Sequence, residues 1–250
     1  MTTTNTTGRV LLVGAGPGDP RLLTLAARDA LAAADVVVTD RLVPLTAIDE
    51  HAPRAEVVHV GKIPRGTFTP QERIHELLLE HARAGRTVVR LKGGDGYLFG
   101  RGGEEWQACT AAGIPVEVVP GVSSALSVPA LAGIPTTHRG LSQGVAIVSG
   151  HVTPDDPRSE VDWAGLATSG LTIVVLMGVA TLGAIAEALL AAGLPADTPA
   201  ASIADGATPQ QRVVRAPLTG IASAADEGGI APPAITVIGP VVAALEETPA

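Results

Sequence analysis

The stretch RVLLVGAGPGDPRLLTLAARDALAAA, residues 9–34, decides the fold class of this chain. It begins with a short, mainly apolar run, which is typical of a buried strand. A loop with three glycines follows, and leucines and alanines then recur at helical spacing. Because the run does not alternate with polar residues, we expect a strand buried on both faces, in a parallel sheet that helices cover.

The same order of strand and helix recurs along the first half of the chain. Further strands are predicted at 35–40, 55–62, 87–92 and 114–121. One predicted helix follows Thr69, which would cap it in a capping box with Glu72, and ends at Gly85. The second half has strand-like runs at 144–151 and 171–178, a helix at 181–193 and then shorter strands, some of them antiparallel.

These patterns predict an α/β fold with two lobes, a mainly parallel amino-terminal sheet and a smaller mixed sheet in the carboxyl-terminal lobe. The polar start indicates a disordered tail over residues 1–7 and no secretory signal. Glycine and polar residues replace the periodicity near 137–143, so the lobes are predicted to span 8–139 and 140–245. Clefts between lobes are preferred places for small-molecule sites.

Composition excludes several classes of function. Aromatic residues make up 2% of the 250 residues, which argues against stacking of nucleic-acid bases. The net charge of −8 argues against general binding of nucleic acid. Residues 1–141 carry 14 basic and 14 acidic side chains, whereas residues 142–250 carry 3 and 11. No apolar run approaches the roughly 18 residues of a membrane span. The lone cysteine, Cys109, excludes an internal disulfide and indicates a reduced, cytoplasmic setting, and we expect no metal site.

The glycine loop after the first strand matches a dinucleotide-binding loop only in part. Glycines stand at 14, 16 and 18, and Asp19 occupies the place of the third fingerprint glycine. A carboxylate there would repel a pyrophosphate, and no Gly-Lys-Ser/Thr follows as in a P-loop. The alternative without a ligand is a tight turn in which Asp19 caps the next helix.

A second glycine loop lies in RLKGGDGYLFGRGGEE, residues 90–105. Its glycines let backbone groups approach a ligand closely, and Asp95 offers a carboxylate to a ribose or an ammonium group. That carboxylate disfavours phosphate and favours a ligand with positive charge. S-adenosylmethionine fits, because it has an adenosine, a sulfonium and an ammonium group but no phosphate. The alternative is a turn in which Asp95 caps the next helix.

Six segments in one order resemble the tetrapyrrole methylases: VGAGPGDPRLLTL, ADVVVTDRLV, VGK, VVRLKGGDGYLFGRGGEE, VVPGVSSALSVPALAGIPTTHRG and VSGH. The resemblance covers roughly residues 8–245 and is closest to the members that methylate uroporphyrinogen III. It implies the two-lobed fold of that family, with S-adenosylmethionine bound between the lobes and S-adenosylhomocysteine as product, usually in a homodimer. It also implies methylation at C2 and then C7, through precorrin-1 to precorrin-2, for sirohaem or cobalamin, without a precorrin-2 dehydrogenase or ferrochelatase segment.

The resemblance also assigns roles to single residues. Cofactor contacts are implied for Pro17, Gly93, Gly94, Asp95, Leu98, Ser123, Ser124, Met177 and Gly206. Asp40 is implied as proton acceptor and Lys62 as proton donor. The alternatives are core packing for the methionine and helix capping for the two serines. For Asp40 the alternative is a salt bridge with Arg41 or a helix cap, and for Lys62 a bond to a substrate carboxylate.

A substrate rich in carboxylates needs local cations on an acidic protein. Predicted strand ends and loops of the first half supply a set that we expect to bind substrate, namely Arg41, Lys62, Arg65, Lys92, Arg101, His138 and Arg139. A solvated surface is the alternative for each of them.

The chain departs from the family pattern at two positions. At position 96 a glycine replaces the usual proline, and we expect this glycine to loosen the loop and weaken cofactor binding. The other is Thr39, where tyrosine is common.

Other functions stay open at this point. A later precorrin methylase or a diphthine-type methylase would share the fold, and the sequence does not reveal which carbon is methylated. A nicotinamide-dependent oxidoreductase or a nucleotide-sensing module is disfavoured, because the complete GxGxxG that it predicts is missing.

Overall fold

The computed structural model describes residues 7–40, 43–61 and 69–245. The chain divides into a compact unit that ends at Ser123 and a second that begins at Ser124. The lobe boundary predicted between 139 and 140 lies further along the chain and stays a prediction. The predicted tail over residues 1–7 lies almost wholly outside the described residues.

The first unit holds a parallel sheet and the helices that connect its strands. The strands are β1 (Arg9–Gly14), β2 (Val36–Thr39), β3 (Glu56–His59), β4 (Thr87–Lys92) and β5 (Val116–Val119). The helices are α1 (Leu25–Ala32), α2 (Leu45–His51), α3 (Gln71–Arg83) and α4 (Gly102–Ala111), with a 3-10 turn at Pro20–Leu22. The strand order is β3-β2-β4-β1-β5, and all the pairings are parallel.

The second unit holds a mixed sheet. Its strands are β6 (Val145–Ser149), β7 (Thr172–Leu176), β8 (Pro199–Ala204), β9 (Arg212–Pro217) and β10 (Ala234–Ile238). Its helices are α5 (Ser124–Leu131), α6 (Trp163–Thr168), α7 (Leu182–Ala191) and α8 (Ile221–Glu227), with a 3-10 turn at Pro240–Ala243. In the order β6-β7-β10-β8-β9, only β6 and β7 pair in parallel. The predicted α/β class with a parallel and a mixed sheet is confirmed, and the second sheet has as many strands as the first.

Burial on both faces explains the unbroken apolar run of β1. Leu11 and Val13 pack on one side of the sheet with side chains of α1 and α2. Val10 and Leu12 pack on the other side with side chains of α3 and α4. Each such side chain, when buried, stabilises the fold by about 1.5–3 kcal/mol. The run therefore reflects a central position, between β4 and β5.

Helix α3 starts differently from the sequence prediction. It begins at Gln71, its N-cap residue is Pro70, and no side chain caps it, so the predicted capping box of Thr69 and Glu72 is wrong. The first turn is instead held by packing, because Gln71 is buried and its side chain bonds to Glu105. The predicted end is confirmed, since Gly85 follows the helix with a φ of 81° that favours glycine.

None of the helices in the described ranges is both long and apolar enough to cross a membrane.

Candidate active site

Three loops meet at the carboxyl ends of β1, β4 and β5, where parallel sheets bind their ligands. Gly16 and Gly94 exchange backbone hydrogen bonds, with N···O distances of 3.1 and 2.7 Å. A Cβ on Gly14 would lie 2.5 Å from the Cα of Gly121, so the β1 and β5 loops touch backbone to backbone. The glycines are therefore needed for the approach of the loops to one another, which the sequence did not reveal.

Asp95 joins two of these loops. One of its carboxylate oxygens accepts a hydrogen bond from the backbone N–H of Tyr97 (2.9 Å) and the other from that of Gly121 (3.0 Å). The alternative that Asp95 caps α4 is wrong, because the N-cap of that helix is Arg101. Each oxygen keeps a second lone pair, so the predicted contact of Asp95 with a cofactor stays a prediction.

The first glycine loop ends in a capped turn, as its ligand-free alternative predicted, but Thr24 and not Asp19 caps helix α1. Asp19 caps the 3-10 turn at Pro20–Leu22 and accepts a hydrogen bond from the backbone N–H of Arg21 (2.9 Å). The Arg21 guanidinium also pairs with this carboxylate and holds the pKa of Asp19 below its ordinary value. Pro17 lies half-buried in the same loop.

Strained backbone marks three loops of the chain. Within the described ranges, positive φ angles of 50–62° occur at five residues that are not glycine: Phe99, Arg101, Met177, Asp205 and Ala207. Two lie in the loop between β4 and α4, one directly follows β7, and two lie in the loop after β8. Such a conformation costs about 1–3 kcal/mol at each residue and is concentrated at functional sites. The predicted residues Leu98, Met177 and Gly206 lie at or beside these positions.

In the second unit, the predicted cofactor residues lie on two strand ends and one helix. Met177 is 52% exposed, so the alternative that it packs in the core is wrong. Gly206 lies against α5, because a Cβ there would be 2.6 Å from a methyl carbon of Val128. Ser124 is the first residue of that helix, and Ser123 ends the first unit. The structure thus brings Gly206 to the helix that Ser124 begins.

The predicted proton acceptor forms a salt bridge with an arginine that we had not singled out. Asp40 directly follows β2, and its Oδ1 lies 2.8 Å from Nη2 of Arg90. Arg90 is a charged residue within the mainly apolar strand β4, and it is only 2% exposed. The alternative for Asp40 named Arg41 as partner, and Arg41 lies outside the described residues.

A buried carboxylate, Glu105, collects three donors on one oxygen. Its Oε1 accepts from Nε of Arg90 (3.0 Å), Nζ of Lys92 (3.0 Å) and Nε2 of Gln71 (3.2 Å). Its Oε2 is buried and has no partner among the described residues. Sequence reasoning missed this cluster. The signal was a charged side chain in the middle of an apolar strand, because a buried charge must be paired.

The burial of Lys92 bears on its predicted role in binding a substrate carboxylate. Its side chain is 5% exposed, and burial, reinforced by the charge of Arg90, lowers the pKa of the ammonium group. Binding of Lys92 to a substrate carboxylate stays a prediction, and the buried bond to Glu105 weighs against it.

Three other predicted substrate cations are exposed. Arg101 forms two parallel hydrogen bonds with Glu104 (2.8 and 2.7 Å), and this pairing raises the pKa of the guanidinium. His138 and Arg139 lie in a turn that the backbone of His138 closes with Ser142. The remaining predicted residues Arg41, Lys62 and Arg65 lie outside the described residues.

The loop chemistry fits a cationic nucleoside. The stretches Gly14–Asp19 and Gly93–Gly96 present backbone N–H and C=O groups, and each contains a carboxylate but no basic side chain. A phosphate at the second stretch would meet no cation from those residues, whereas an ammonium or sulfonium group would meet the carboxylate of Asp95; in the first stretch Asp19 is already paired with Arg21. The residues therefore suit S-adenosylmethionine better than a dinucleotide.

Comparisons with known proteins agree with this chemistry. The family model of the tetrapyrrole (corrin/porphyrin) methylases matches residues 9–222. The chain is 48% identical, over 94% of its length, to the S-adenosyl-L-methionine-dependent uroporphyrinogen III methyltransferase of Methanosarcina barkeri (strain Fusaro / DSM 804), of which it covers 92%. It is 46% identical, over 96% of its length, to the siroheme synthase of Acinetobacter baylyi (strain ATCC 33305 / BD413 / ADP1), and spans 52% of that protein.

A solved structure is similar along nearly the whole chain. It is uroporphyrin-III C-methyl transferase from Thermus thermophilus, complexed with S-adenosylhomocysteine. The TM-score is 0.80 at 45% identity, with 95% of this chain and 100% of the other covered.

Proposed function

The chain belongs to the tetrapyrrole (corrin/porphyrin) methylases, and we propose that it transfers methyl groups from S-adenosylmethionine to uroporphyrinogen III. Methylation takes place at C2 and then at C7, through precorrin-1, and gives precorrin-2 and S-adenosylhomocysteine. One observation carries this proposal. This chain is 48% identical to a uroporphyrinogen III methyltransferase and also joins its two glycine loops through the paired backbones of Gly16 and Gly94.

Loop residues hold the cofactor in this proposal. They are Pro17, Gly93, Gly94, Asp95, Leu98, Ser123, Ser124, Met177 and Gly206. The bound cofactor supplies a methyl group that its sulfonium activates. The protein contributes backbone polar groups at fixed positions, because Asp95 ties the β4 loop to the β5 loop. Fixed reacting groups and exclusion of water supply much of the rate acceleration in such reactions.

Methylation of a pyrrole carbon leaves a cation that must lose a proton from a neighbouring position, so a base accelerates the reaction. Asp40 is proposed as that base, because its carboxylate is paired with Arg90 yet its side chain is 31% exposed. Lys62 is proposed as the proton donor on the basis of the family resemblance alone.

Exposed cations bind the carboxylates of the tetrapyrrole. Arg101, His138 and Arg139 are accessible in the structure, and the sequence adds Arg41 and Arg65 from their places at predicted strand ends and in loops. Lys92 remains the weakest member of the proposed set, because its ammonium is buried against Glu105.

The wider setting is also a proposal. We place the product in sirohaem or cobalamin biosynthesis and the protein in the cytoplasm as a homodimer. The similarity to a siroheme synthase supports the first branch, and the single cysteine suits a reduced compartment.

Two assays test the function. S-adenosylhomocysteine should raise the melting temperature, because a ligand that binds only the folded state stabilises it, and NAD should not. Radiolabelled methyl groups should pass from S-adenosylmethionine to uroporphyrinogen III, and neither to later precorrins nor to a diphthine-type protein acceptor. Stabilisation by S-adenosylhomocysteine with transfer to one of the other acceptors would retain the family and reject the substrate.

A further inference from the structure

Arg90 is held by hydrogen bonds along its whole guanidinium group. Nε donates to Glu105 (3.0 Å), and Nη1 donates to the backbone carbonyls of Val38 (3.2 Å) and Leu91 (3.3 Å). Nη2 donates to Oδ1 of Asp40 (2.8 Å). Because Val38 lies two residues before Asp40, the planar group grips both the backbone of β2 and the side chain that follows it.

The charges of this cluster make Asp40 the necessary counter-ion. Arg90 and Lys92 are buried cations, whereas Glu105 is the only fully buried anion that bonds to them among the described residues. A buried charge without a partner is strongly destabilising. The carboxylate of Asp40 balances the second cation, so the cluster fixes where this side chain lies.

The two oxygens of Asp40 differ in their surroundings. Oδ1 accepts from Arg90, but none of the described residues donates a hydrogen bond to Oδ2. The side chain is 31% exposed, in contrast to the 2% of Arg90. Oδ1 is therefore anchored, and Oδ2, which has no donor among the described residues, is the oxygen that would accept a proton.

We propose that Arg90 is a positioning residue, which anchors Oδ1 of Asp40 so that Oδ2 takes the proton released after methylation. In this step a C–H bond breaks on the carbon that adjoins the cationic ring carbon, and its electron pair forms a new carbon–carbon double bond that neutralises the cation. The proton moves to Oδ2. Glu105 in turn holds Arg90. The inference rests on the proposed function, in which Asp40 is the base.

A double-mutant cycle separates positioning from general support of the fold. Arg90→Lys keeps a cation but loses the fork, and should lower kcat by about 10²-fold, the effect of a misplaced reacting group. The KM for uroporphyrinogen III and the affinity for S-adenosylhomocysteine should stay within about two-fold, since no proposed binding residue is removed. In an Asp40→Asn background, Arg90→Lys should cause little further loss. If the falls in kcat caused by the two single substitutions multiply in the double variant, the proposal is overturned.

A second variant leaves Arg90, Lys92 and Glu105 unchanged and guards against a misfolded Arg90→Lys protein. Asp40→Glu retains the carboxylate but moves it by one methylene group from its anchored place. We expect kcat to fall by about ten-fold or more, with unchanged affinity for S-adenosylhomocysteine. Full activity of Asp40→Glu would show that the position of the carboxylate is unimportant and would overturn the proposal.

The pairing itself is measurable without any activity. In protein labelled with ¹⁵N-arginine, the Nη2 protons of Arg90 should exchange slowly with water and shift in Asp40→Asn. An unchanged signal would overturn the pairing whatever the substrate is. Failure of the proposed function is visible separately, as wild-type protein that does not methylate uroporphyrinogen III while the Arg90 signal still responds to Asp40→Asn.

Discussion

The carboxylate of Asp95 accepts a hydrogen bond of 3.0 Å from the backbone N–H of Gly121, across a separation of 26 residues in the chain. The same side chain accepts from Tyr97 with its other oxygen. Asp95 thus forms a hydrogen-bonded bridge between the β4 and β5 loops. A residue that the family resemblance assigns to the cofactor therefore has a second role, which is to hold the loops on which that cofactor would lie.

Substitution of Asp95 by asparagine should weaken cofactor binding. An amide has one accepting oxygen, so its NH₂ group would face one of the two backbone N–H donors. Leaving a backbone donor unpaired costs about 1–3 kcal/mol, so we expect the Kd for S-adenosylhomocysteine to rise by about ten-fold. Isothermal titration calorimetry measures this directly.

Asp156 provides the matched control. Its carboxylate also accepts from a backbone N–H two residues later, that of Arg158 (2.9 Å), but it lies in a turn of the second unit away from any predicted cofactor residue in sequence. Asp156→Asn should leave the affinity unchanged. Equal weakening by both substitutions would contradict the special role of Asp95.

Substitution of Gly96 by proline should strengthen cofactor binding. Gly96 is buried, and its carbonyl accepts from the backbone N–H of Gly102 (3.0 Å), a bond that proline retains. An added Cβ would lie 3.2 Å from Cδ of Lys92, a contact that a small shift of that side chain relieves. Proline removes about 0.4–1 kcal/mol of backbone freedom from the free loop, so the Kd for S-adenosylhomocysteine should fall by about two- to five-fold.

Gly103→Ala is the control for this change. A Cβ there meets nothing within 4 Å, and the residue lies in helix α4, so stability should rise without a change in affinity. An affinity that Gly96→Pro leaves unaltered would count against a loose cofactor loop.

Reversal of charge at Arg101 should impair substrate binding. Arg101→Glu removes an exposed cation and places a second carboxylate beside Glu104. We expect the KM for uroporphyrinogen III to rise by about ten-fold at low salt, and the difference from wild type to narrow at high salt, because salt screens exposed charges. Arg158→Glu, which disrupts a similar exposed pair with Asp156, should leave KM unchanged. If KM is unchanged in both variants, Arg101 is an ordinary charged surface residue and does not bind substrate.

Alkaline pH should destabilise the protein through Cys109. The thiol is fully buried in the core beside α3, and burial, with the nearby charge of Glu105, raises its pKa from 9.0 to about 11. Because the folded state binds this proton more tightly, its contribution is complete below pH 9 and is lost as pH rises towards 11. Between pH 8 and pH 10 the free energy of unfolding should fall by about 1 kcal/mol from this group.

Urea unfolding of wild type and Cys109→Ala at both pH values measures the effect. The variant should lose less stability between pH 8 and pH 10, since the buried thiol is gone. Equal losses in the two proteins would show that other groups cause the alkaline destabilisation.

Much of the fold followed from local sequence. The apolar runs at β1 and β4 predicted buried parallel strands, because only burial on both faces accounts for such runs. The glycine loops could be placed at strand ends because each of them directly follows one of these runs. The sequence did not predict contacts between side chains that lie far apart in the chain. Arg90 meets Asp40 only because the register pairs Val38 with Arg90 across β2 and β4, and no local pattern contains that register.

Two further failures have the same origin. The start of α3 was assigned from its capping residues, whereas the buried bond from Gln71 to Glu105 fixes it. Lys92 was predicted to bind substrate from its place at a strand end, and the sequence did not reveal that its side chain is buried against a carboxylate on α4. Burial of a long charged side chain depends on which helix covers the strand, and this is a property of the packed structure.

The central claim is tested most directly by anaerobic incubation of the protein with uroporphyrinogen III and S-adenosylmethionine, followed by mass spectrometry and absorbance of the tetrapyrrole. The account predicts the gain of one and then two methyl groups, with precorrin-2 as the end product. A tetrapyrrole that stays unmethylated, under conditions in which S-adenosylhomocysteine binds and raises the melting temperature, would contradict it.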